Sequence, residues 1–377
     1  MVSYDELGVR PVINAHNTLT VLGGSLMDPA VTEAMSLAAR SFVDLNELQA
    51  AASARVARLT RNEDALVVSG ASAGLLLGAL AMMTRSDPRA VGQLLEQGAA
   101  ALPRTEILMH RAHRIPYDNV LTLAGARVVE FGNAIQTQDW ELDAAIGERT
   151  AGIVYVAGSH LSGAALPFEV VTRIARDRDV PVFVDAAAQL PPRENLWRFT
   201  QAGADLVAFS GGKELRGPQA SGLLLGSRAY VDACRQHAFP LQRFGRPAKV
   251  GKEEIMGLLT ALDLWLERDL ESDLARAEHV AATWITELSD LPGITATRDW
   301  PGEAGGPWPR VRVQWAAGVH PPALEVAARL AGADPRVIVF VASECAFWIN
   351  PVLVTDTEAE LVGAAVGREL GRTAPAS

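Results

Sequence analysis

Seven short apolar runs, separated by segments with helical periodicity, occupy the chain between about residues 60 and 226. Strands that alternate with helices in this way form a parallel sheet that helices cover on both faces. The runs are ALVV (65–68), EILM (106–109), ARVVEF (126–131), GIVYVAG (152–158), VPVFVD (180–185), DLVAFS (205–210) and SGLLLG (221–226). The pattern predicts an α/β fold with a mostly parallel, seven-stranded sheet between helices.

The last third of the chain follows a different order. From Gly251 an amphipathic pattern predicts a long bridging helix that reaches about Leu288. Beyond it we expect a strand at 310–315, a helix at 322–330, a strand at 337–341 and a closing helix at 358–370. This order predicts a second, smaller α+β domain. The tail, residues 373–377, is expected to be frayed.

Composition narrows the class of protein. The net charge of -10 and the pI near 5.3 disfavour binding to nucleic acid over a wide surface, so no nucleic-acid partner is expected. Two distant cysteines, Cys234 and Cys345, provide neither a disulfide framework nor a metal cluster, so no metal site is expected. The first residues lack the features of a signal peptide. A cytoplasmic location without membrane association is therefore predicted.

The strand at 65–68 leads into a turn of small residues, SGASAG (69–74), and then into an apolar helix. GASAG fits the G-x-S-x-G nucleophile elbow, in which a strained turn presents a serine, here Ser72, as the nucleophile of a hydrolase. The turn equally suits a phosphate cradle, because small residues expose backbone N–H groups and a helix N-terminus carries positive partial charge. The window from Val67 to Met83 falls short of a membrane span and predicts a buried helix.

Two later strand ends carry the residues that separate these interpretations. Asp185 ends the run VPVFVD, and Lys213 follows the run DLVAFS by way of Gly211 and Gly212. In an open α/β sheet, ligands bind outside the carboxyl ends of the strands. An acid, a lysine and a phosphate turn at that edge indicate pyridoxal phosphate.

Each of these groups has a chemical reason to be present. A desolvated lysine amine forms a Schiff base with the cofactor aldehyde. A carboxylate keeps the pyridine nitrogen protonated, so that the ring can accept the electrons of a substrate carbanion. Backbone N–H groups and hydroxyls bind the phosphate, and the candidates are Ala71, Ser72, Ala73 and Ser210.

With these residues in place, the chain resembles the fold type I pyridoxal-phosphate enzymes. Within them it is similar to the group of L-seryl-tRNA(Sec) selenium transferase and D-glucosaminate-6-phosphate ammonia-lyase. The matching segments are LGVRPVINAHNTLTVLGGSLM (7–27), SGASAG (69–74), HRAHRIPYDN (110–119), VDAAAQLPP (184–192), FSGGKELRGPQASGLLLG (209–226), GRPAKVGKEEIMGLL (245–259) and WINP (348–351). They span nearly the whole chain.

The resemblance implies roles for individual residues. Lys213 is the Schiff-base lysine and, with His113, a catalytic residue; Asp185 is the pyridine partner, and Ala187 packs beneath the ring. His113 stacks on the cofactor, where a neutral imidazole can also relay a proton, and His110 is its rival for this position. Further cofactor contacts are expected at Ser69, Gly70, Gln189 and Gly212.

The resemblance also implies a division of the chain. Residues 1–44 form an N-terminal segment that packs on the small domain and on a partner subunit. Residues 45–250 form the large cofactor-binding domain, and residues 251–377 form the bridging helix and the small domain. A homodimer or higher homo-oligomer with shared active sites is therefore expected.

Substrate contacts are predicted in several separate segments. They are His16, His110, His160, Arg246 and Lys249. Together with Arg243 and Lys252, these two residues form a basic cluster just before or at the start of the bridging helix. Cations at a helix N-terminus oppose the helix dipole by about 0.3–1 kcal/mol each. Two interpretations are open: a helix start neutralised by neighbouring glutamates, or a site for a substrate carboxylate or phosphate.

The resemblance favours a lyase. Exchange of the Schiff base from Lys213 to the substrate amine, abstraction of the α-proton and β-elimination would act on a small polar or anionic amino acid or amino sugar acid. A racemase or epimerase, an aldolase and an aminotransferase are the alternatives on the same scaffold. The chain departs from its relatives at VIVFVAS (337–343), which lacks their basic residue, and Arg336 is a weak substitute as the carboxylate anchor.

Other classes of protein fit the sequence less well. A serine hydrolase would use Ser72, Asp185 and His237 and would leave Lys213 without a role. A P-loop would require a glycine at the position of Val207 and a hydroxyl at the position of Glu214. A catalytically silent relative is disfavoured because the lysine and the aspartate are both present.

Overall fold

A computed structural model describes residues 2–372, and the predicted frayed tail at 373–377 lies outside them. The described residues divide into two compact units. The larger unit comprises Ser25–Arg268, and the smaller one combines the N-terminal residues through Gly24 with the residues from Asp269 onward. The strands are β1 (Ile13–Asn14), β2 (Asp64–Val68), β3 (Glu106–His110), β4 (Arg127–Phe131), β5 (Thr150–Val156), β6 (Val182–Asp185), β7 (Leu206–Ser210), β8 (Gly222–Gly226), β9 (Ile294–Asp299), β10 (Arg310–Trp315), β11 (Val337–Ile338), β12 (Phe340–Ser343) and β13 (Ala346–Ile349).

Helices connect most of these strands. They are α1 (Pro29–Ala38), α2 (Leu45–Leu59), α3 (Ala71–Thr84), α4 (Pro88–Gln97), α5 (Asn119–Leu123), α6 (Asp139–Ala145), α7 (Phe168–Asp177), α8 (Asn195–Gln201), α9 (Arg228–Arg235), α10 (Lys252–Glu267), α11 (Leu270–Ser289), α12 (Ala323–Gly332) and α13 (Asp356–Arg372). Helix starts follow local chemistry, since Asp28 accepts a hydrogen bond from the N–H of Ala30 and a proline begins α1.

The sheet of the larger unit has seven strands in the order β2-β8-β7-β6-β5-β3-β4. Strand β8 runs antiparallel to both of its neighbours, and the remaining pairs are parallel. All seven predicted strands are present, so the predicted mostly parallel sheet is confirmed. The carboxyl ends of β2, β7, β6, β5, β3 and β4 therefore meet at one edge of the sheet.

Close packing fixes helix α3 against this sheet. A Cβ added at Gly78 would lie 2.1 Å from the ring of Phe183 on β6, and one at Gly74 would lie 3.3 Å from Cβ of Ala208 on β7. These glycines let the helix approach the strands closely, which explains the small residues in an otherwise apolar segment. The window from Val67 to Met83 is thus the end of a strand and a buried helix, as predicted. Among residues 2–372, no helix is both long and apolar enough to cross a bilayer.

The smaller unit contains an antiparallel sheet in the order β12-β13-β10-β9 and a short parallel pair of β1 with β11. Its core contains Trp284 of α11, Val311 and Val313 of β10, and Phe347 of β13. The predicted strand at 337–341 is divided, because β11 pairs with β1 whereas β12 pairs with β13. Strands β9 and β13 were not anticipated.

The division of the chain differs from the predicted boundaries at 44/45 and 250/251. Helix α10 belongs to the larger unit, because it packs along α1 and also contacts α2. The predicted bridging helix is in fact two helices, since α10 ends at Glu267 and Asp269 caps α11 by accepting a hydrogen bond from the N–H of Ser272. The strong amphipathic pattern on both sides concealed this break.

Candidate active site

Registers across the large sheet align the ends of its strands. Val68 of β2 pairs with Gly222 of β8, which pairs in turn with Ser210 of β7. Asp185 of β6 pairs with Ala208 on one side and with Val156 on the other. Neighbouring strands lie about 4.8 Å apart, so the turns that follow these residues share one edge of the sheet.

The turn after β2 ends in a helix N-terminus without a side-chain cap. Gly70, with φ +104°, directly precedes α3. Within the described chain, the N–H groups of Ala71, Ser72 and Ala73 have no hydrogen-bond acceptor. A Cβ at Gly222 would lie 2.8 Å from the backbone of Gly70, so β8 packs directly against this turn. Three unsatisfied donors at a helix start suit a phosphate.

The geometry does not support a nucleophile elbow. Ser72 is the second residue of α3 and lies outside the positive-φ region that strains an elbow serine. His237, its proposed partner, is fully buried and its Nε2 lies 2.9 Å from Oγ1 of Thr84, the last residue of α3. Thr84 lies twelve positions after Ser72 along α3, a rise of about 18 Å. A Ser72–His237 pair is therefore excluded.

Asp185 presents a buried carboxyl group at the end of β6. The residue is 7% exposed, and its Oδ1 accepts a hydrogen bond of 3.0 Å from the N–H of Ala187. Burial raises the pKa of Asp185, while this hydrogen bond and the charge of Lys213 oppose the increase. A cation placed at this carboxylate would relieve its desolvation.

Lys213 lies in a tight turn after β7. A Cβ at Gly211 would meet Oγ of Ser221 at 2.1 Å, and one at Gly212 would meet Cα of Gln219 at 2.6 Å. Both glycines are therefore required by the approach of residues 219–221. The lysine itself is half-buried, and its charge acts on Asp185.

His113 follows β3 in a short 3₁₀ turn, Arg111–His113, and is 1% exposed. Its Nδ1 accepts a hydrogen bond of 3.3 Å from the N–H of Val156, the last residue of β5. Burial, reinforced by the neighbouring His110 and His160, lowers the pKa of His113 to about 3. The imidazole is therefore neutral at physiological pH and carries its proton on Nε2.

The other two predicted histidines of this unit have different surroundings. His110 is buried, its Nδ1 accepts from the N–H of Ala112, and its Nε2 forms a short hydrogen bond with Thr137. Its ring lies 5.2 Å from that of His113, so it supports that histidine. His160 is exposed, in the 3₁₀ turn Ser159–Leu161. Substrate contacts for both stay predictions.

The remaining predicted cofactor contacts belong to the same edge. Ser69 and Gly70 lie in the turn before α3, and Ser210 ends β7. The carbonyl of Ala187 accepts a hydrogen bond of 3.3 Å from the N–H of Ser210, which ties the turn after β6 to the turn after β7. The carbonyl of Gln189 accepts from the side chain of Asn195.

The members of the basic cluster have different surroundings. Arg243 donates to the carbonyl of Gln236, and Lys252 pairs with Glu253. By contrast, Nε of Arg246 is buried and has no hydrogen-bond partner among the described residues, while its guanidinium lies 5.2 Å above the ring of Phe239. Lys249 is exposed.

Two predicted residues lie in the smaller unit. The ring of His16 stacks 4.6 Å from that of Phe340, and its substrate contact stays a prediction. Arg336 donates to the carbonyl groups of Ala331 and Arg10, so its guanidinium supports the loops around β11. This pattern disfavours Arg336 as the substitute carboxylate anchor.

Sequence reasoning missed three residues that support the site. The ring of Tyr155 lies edge-on to His113 at 4.6 Å, and Thr137 bonds His110. Ser25 bonds the backbone of the turn that carries Lys213. Tyr155 lies inside a predicted strand and Ser25 inside a segment that carries the resemblance, but neither has a spacing that signals its partner.

Taken together, these residues fit pyridoxal phosphate. The uncapped start of α3 provides phosphate donors, the buried carboxyl of Asp185 requires a cation such as a protonated ring nitrogen, and the neutral ring of His113 is suited to stacking. Lys213 follows β7 at the same edge of the sheet.

Comparison with known proteins agrees with this geometry. The sequence model of the L-seryl-tRNA selenium transferase family matches residues 12–276. D-glucosaminate-6-phosphate ammonia lyase from Salmonella typhimurium strain 14028s is 31% identical over 370 residues, 95% of each chain. A 5'-C-glycyluridine monooxygenase-decarboxylase from a Streptomyces species is 35% identical over 304 residues, 78% of this chain and 73% of its own.

A solved structure of a D-glucosaminate-6-phosphate ammonia-lyase superposes with a TM-score of 0.83 and 30% identity, and the match covers 98% of each chain. Both the sequence and the arrangement of strands are therefore shared along nearly the full length. The chain belongs to the L-seryl-tRNA selenium transferase family and is a pyridoxal-phosphate-dependent enzyme of fold type I.

Proposed function

We propose that Lys213 is the residue that binds the cofactor covalently. The observation that carries this assignment is that Lys213 and Asp185 follow or end neighbouring strands at one edge of the sheet, close enough for the charge of the lysine to act on the buried carboxyl. The chain contains only three lysines, at positions 213, 249 and 252. Lys249 is exposed and Lys252 pairs with Glu253, so Lys213 alone combines partial burial with a position at the strand ends.

The other groups would hold the cofactor in a fixed orientation. Asp185 would bind the pyridine nitrogen, and the start of α3 with Ser72 and Ser210 would bind the phosphate. His113 would stack on the ring and Ala187 would pack beneath it. When bound, the cofactor supplies an electron sink for negative charge at the carbon next to the substrate amine.

Two residues of the chain would handle protons. The amine of Lys213 would take the α-proton and return a proton to the product or leaving group. His113 would present Nε2–H and remain neutral, because its burial prevents charging near neutral pH.

For the reaction, we propose a lyase that performs β-elimination on a small, anionic amino acid or amino sugar acid. The name of the Salmonella relative describes an ammonia lyase whose substrate is a phosphorylated amino sugar acid. In this chain Arg246 and Lys249 would provide the matching positive charge, because the buried Nε of Arg246 has no partner in the described part of the chain. The Streptomyces relative is named for a different reaction, so the scaffold alone does not choose the chemistry.

The reaction is tested by incubating the cofactor-loaded enzyme with D- and L-amino acids, amino sugar acids and their phosphorylated forms. Release of ammonia together with a carbonyl product from an anionic substrate is expected. Inversion of the α-carbon without ammonia, release of an aldehyde, or transfer of the amino group to a 2-oxo acid would instead identify a racemase, an aldolase or an aminotransferase.

We further propose a cytoplasmic homodimer or higher homo-oligomer. Four large apolar side chains near the start of the larger unit are exposed, namely Leu26, Leu37, Phe42 and Val43. Burial of this apolar surface against a second copy would support association. The chain has only two cysteines, far apart in sequence, and this composition favours a reducing compartment. Light scattering coupled to size-exclusion chromatography tests the oligomer, and a monomeric mass would contradict it.

A further inference from the structure

Ser25, the first residue of the larger unit, forms hydrogen bonds with the turn that carries Lys213. The hydroxyl oxygen of Ser25 lies 2.7 Å from the carbonyl oxygen of Lys213 and 3.0 Å from that of Gly212. The N–H of Ser25 also donates to the carbonyl of Gly212, at 2.9 Å. Residues nearly 190 positions apart in sequence are thus joined at the lysine itself.

These contacts act on the peptide groups that flank the side chain of Lys213. The peptide plane before the lysine contains the Gly212 carbonyl, and the plane after it contains the Lys213 carbonyl. Together the two planes set the direction of the Cα–Cβ bond. The hydroxyl of Ser25 therefore affects both the direction of the Lys213 side chain and the stability of the turn.

The rest of the turn is already determined by other contacts. The N–H of Gly211 donates to the carbonyl of Ser221, and the N–H of Gly217 donates to the carbonyl of Gly211. The N–H of Arg216 shares the carbonyl of Lys213 with the serine hydroxyl, at 2.9 Å. Removing one hydroxyl should therefore leave the turn folded while changing the freedom of the two carbonyls.

We propose that Ser25 is a positioning residue that aligns the amine of Lys213 for attachment of the cofactor and for proton transfer. The inference rests on the proposed role of Lys213. Ser25 touches the backbone of the lysine, and its effect would pass through that backbone to the reacting nitrogen. A hydroxyl that merely stabilised the fold would change the unfolding temperature without changing the acid–base behaviour of the bound lysine.

The test compares Ser25→Ala with two control variants. Ser25→Thr keeps a hydroxyl at this position, and Ser41→Ala removes the hydroxyl of an exposed serine elsewhere in the same unit. Each holoenzyme is titrated with base while its visible absorption is recorded. Ser25→Ala should move the midpoint of the spectral titration by roughly half a pH unit or more. Ser25→Thr and Ser41→Ala should retain the wild-type midpoint.

A second measurement uses the cofactor-free proteins. Hydrogen–deuterium exchange of the amide of Arg216, which shares the Lys213 carbonyl with Ser25, should be faster in Ser25→Ala than in Ser25→Thr. The amides of Gly211 and Gly217, whose acceptors Ser25 does not touch, should keep the wild-type rate. Should Ser25→Ala fail to fold, Ser25→Cys, which keeps the shape and weakens the donor, replaces it in both measurements.

The possible failures can be distinguished. An unchanged midpoint in folded Ser25→Ala, with the cofactor attached to Lys213, overturns the role of Ser25 and leaves the proposed function intact. An equal shift in Ser25→Thr likewise overturns it, because the hydroxyl would then not be the cause. A wild-type protein whose cofactor is attached elsewhere overturns the proposed function, and the inference fails with it.

Discussion

The carboxyl group of Asp185 accepts a hydrogen bond from the backbone N–H of Ala187, two residues further along the chain. This single donor does not compensate for the burial of the carboxylate, since the pKa of Asp185 remains above its ordinary value. The cofactor-free protein therefore holds an acid that is destabilised in its charged form. Such a group is prepared to bind a protonated ring nitrogen.

Replacing Asp185 with asparagine should stabilise the cofactor-free protein at neutral pH. A raised pKa in the folded state means that the native protein binds the proton more tightly than the unfolded chain, so stability falls as pH rises through the pKa of the folded state. The amide of an asparagine side chain does not ionise, so Asp185→Asn should be more stable than the wild type by urea unfolding at pH 7.

The matched control for this variant is Asp205→Asn. Burial also raises the pKa of Asp205, which accepts a hydrogen bond from the N–H of Val182, in the connection that leads into β7. Both variants should change stability in the same direction, whereas only Asp185→Asn should weaken cofactor binding and alter the visible spectrum. Loss of the cofactor from Asp205→Asn would show that the effect is not local.

The stability of the cofactor-free protein should fall on the acid side because of His113. Its pKa is lowered from 6.5 to about 3, so the unfolded chain binds a proton between these values that the native protein does not. Stability from this residue is complete above pH 6.5 and is lost as pH decreases toward 3, with a limiting slope of about 1.4 kcal/mol per pH unit.

His113→Phe keeps a flat ring but cannot bind a proton. In this variant the free energy of unfolding should therefore decrease less between pH 6.5 and 3 than in the wild type. His237 has a pKa lowered to about 4 by burial and lies at the far end of α3, so His237→Gln should also reduce this decrease without affecting the cofactor spectrum. If the activity of the wild type changed with pH between 6 and 7 and this change disappeared in His113→Phe, the claim that His113 stays neutral would be contradicted.

Ser72→Ala should weaken retention of the cofactor and leave turnover in excess cofactor. Loss of one hydrogen bond to a charged phosphate, about 1.5–3 kcal/mol, corresponds to a rise in Kd of roughly ten- to a hundredfold. The backbone N–H groups at the start of α3 would continue to bind. Ser86→Ala, beyond the other end of this helix, is the control, and equilibrium dialysis is the measurement. Complete inactivation of Ser72→Ala with the cofactor still bound would contradict the phosphate role.

Lys249→Ala should raise KM for the anionic substrate roughly three- to tenfold, the effect of losing one exposed charge contact, with the visible spectrum unchanged. Lys252→Ala serves as the comparison, since that ammonium pairs with Glu253 and holds the pKa of Glu253 below its usual value. Equal KM values for the two variants and the wild type would contradict a substrate contact of Lys249 and would leave it as a solvated surface residue.

Much of the large unit could be predicted because most strands of its sheet are buried on both faces. Runs such as VFV before Asp185 contain only apolar residues, and the strand that follows in the sheet repeats this pattern. The site residues at the ends of these strands follow directly from the order of parallel strands. The sequence alone therefore predicts that Lys213 and Asp185 lie at one edge of the sheet.

The small unit and the supporting contacts were harder to predict. Strand β9 has only Ile294 and Ala296 buried, and threonines alternate with them, so the apolar signal is weak. The break between α10 and α11 depends on the cap at Asp269, which a strong amphipathic pattern on both sides conceals. The bonds from Ser25 to Gly212 and Lys213 come from tertiary folding, and no local sequence period encodes them.

Covalent attachment of the cofactor to Lys213 is the central claim, and peptide mass spectrometry after borohydride reduction tests it most directly. Reduction fixes the bond between the cofactor and its amine, and the lysine side chains that could carry it are those of Lys213, Lys249 and Lys252. We predict the added mass on the peptide that contains Lys213 and its absence from the other two lysines. Modification of Lys249 or Lys252 instead, or of none of the three in protein reconstituted with pyridoxal phosphate, would contradict the account.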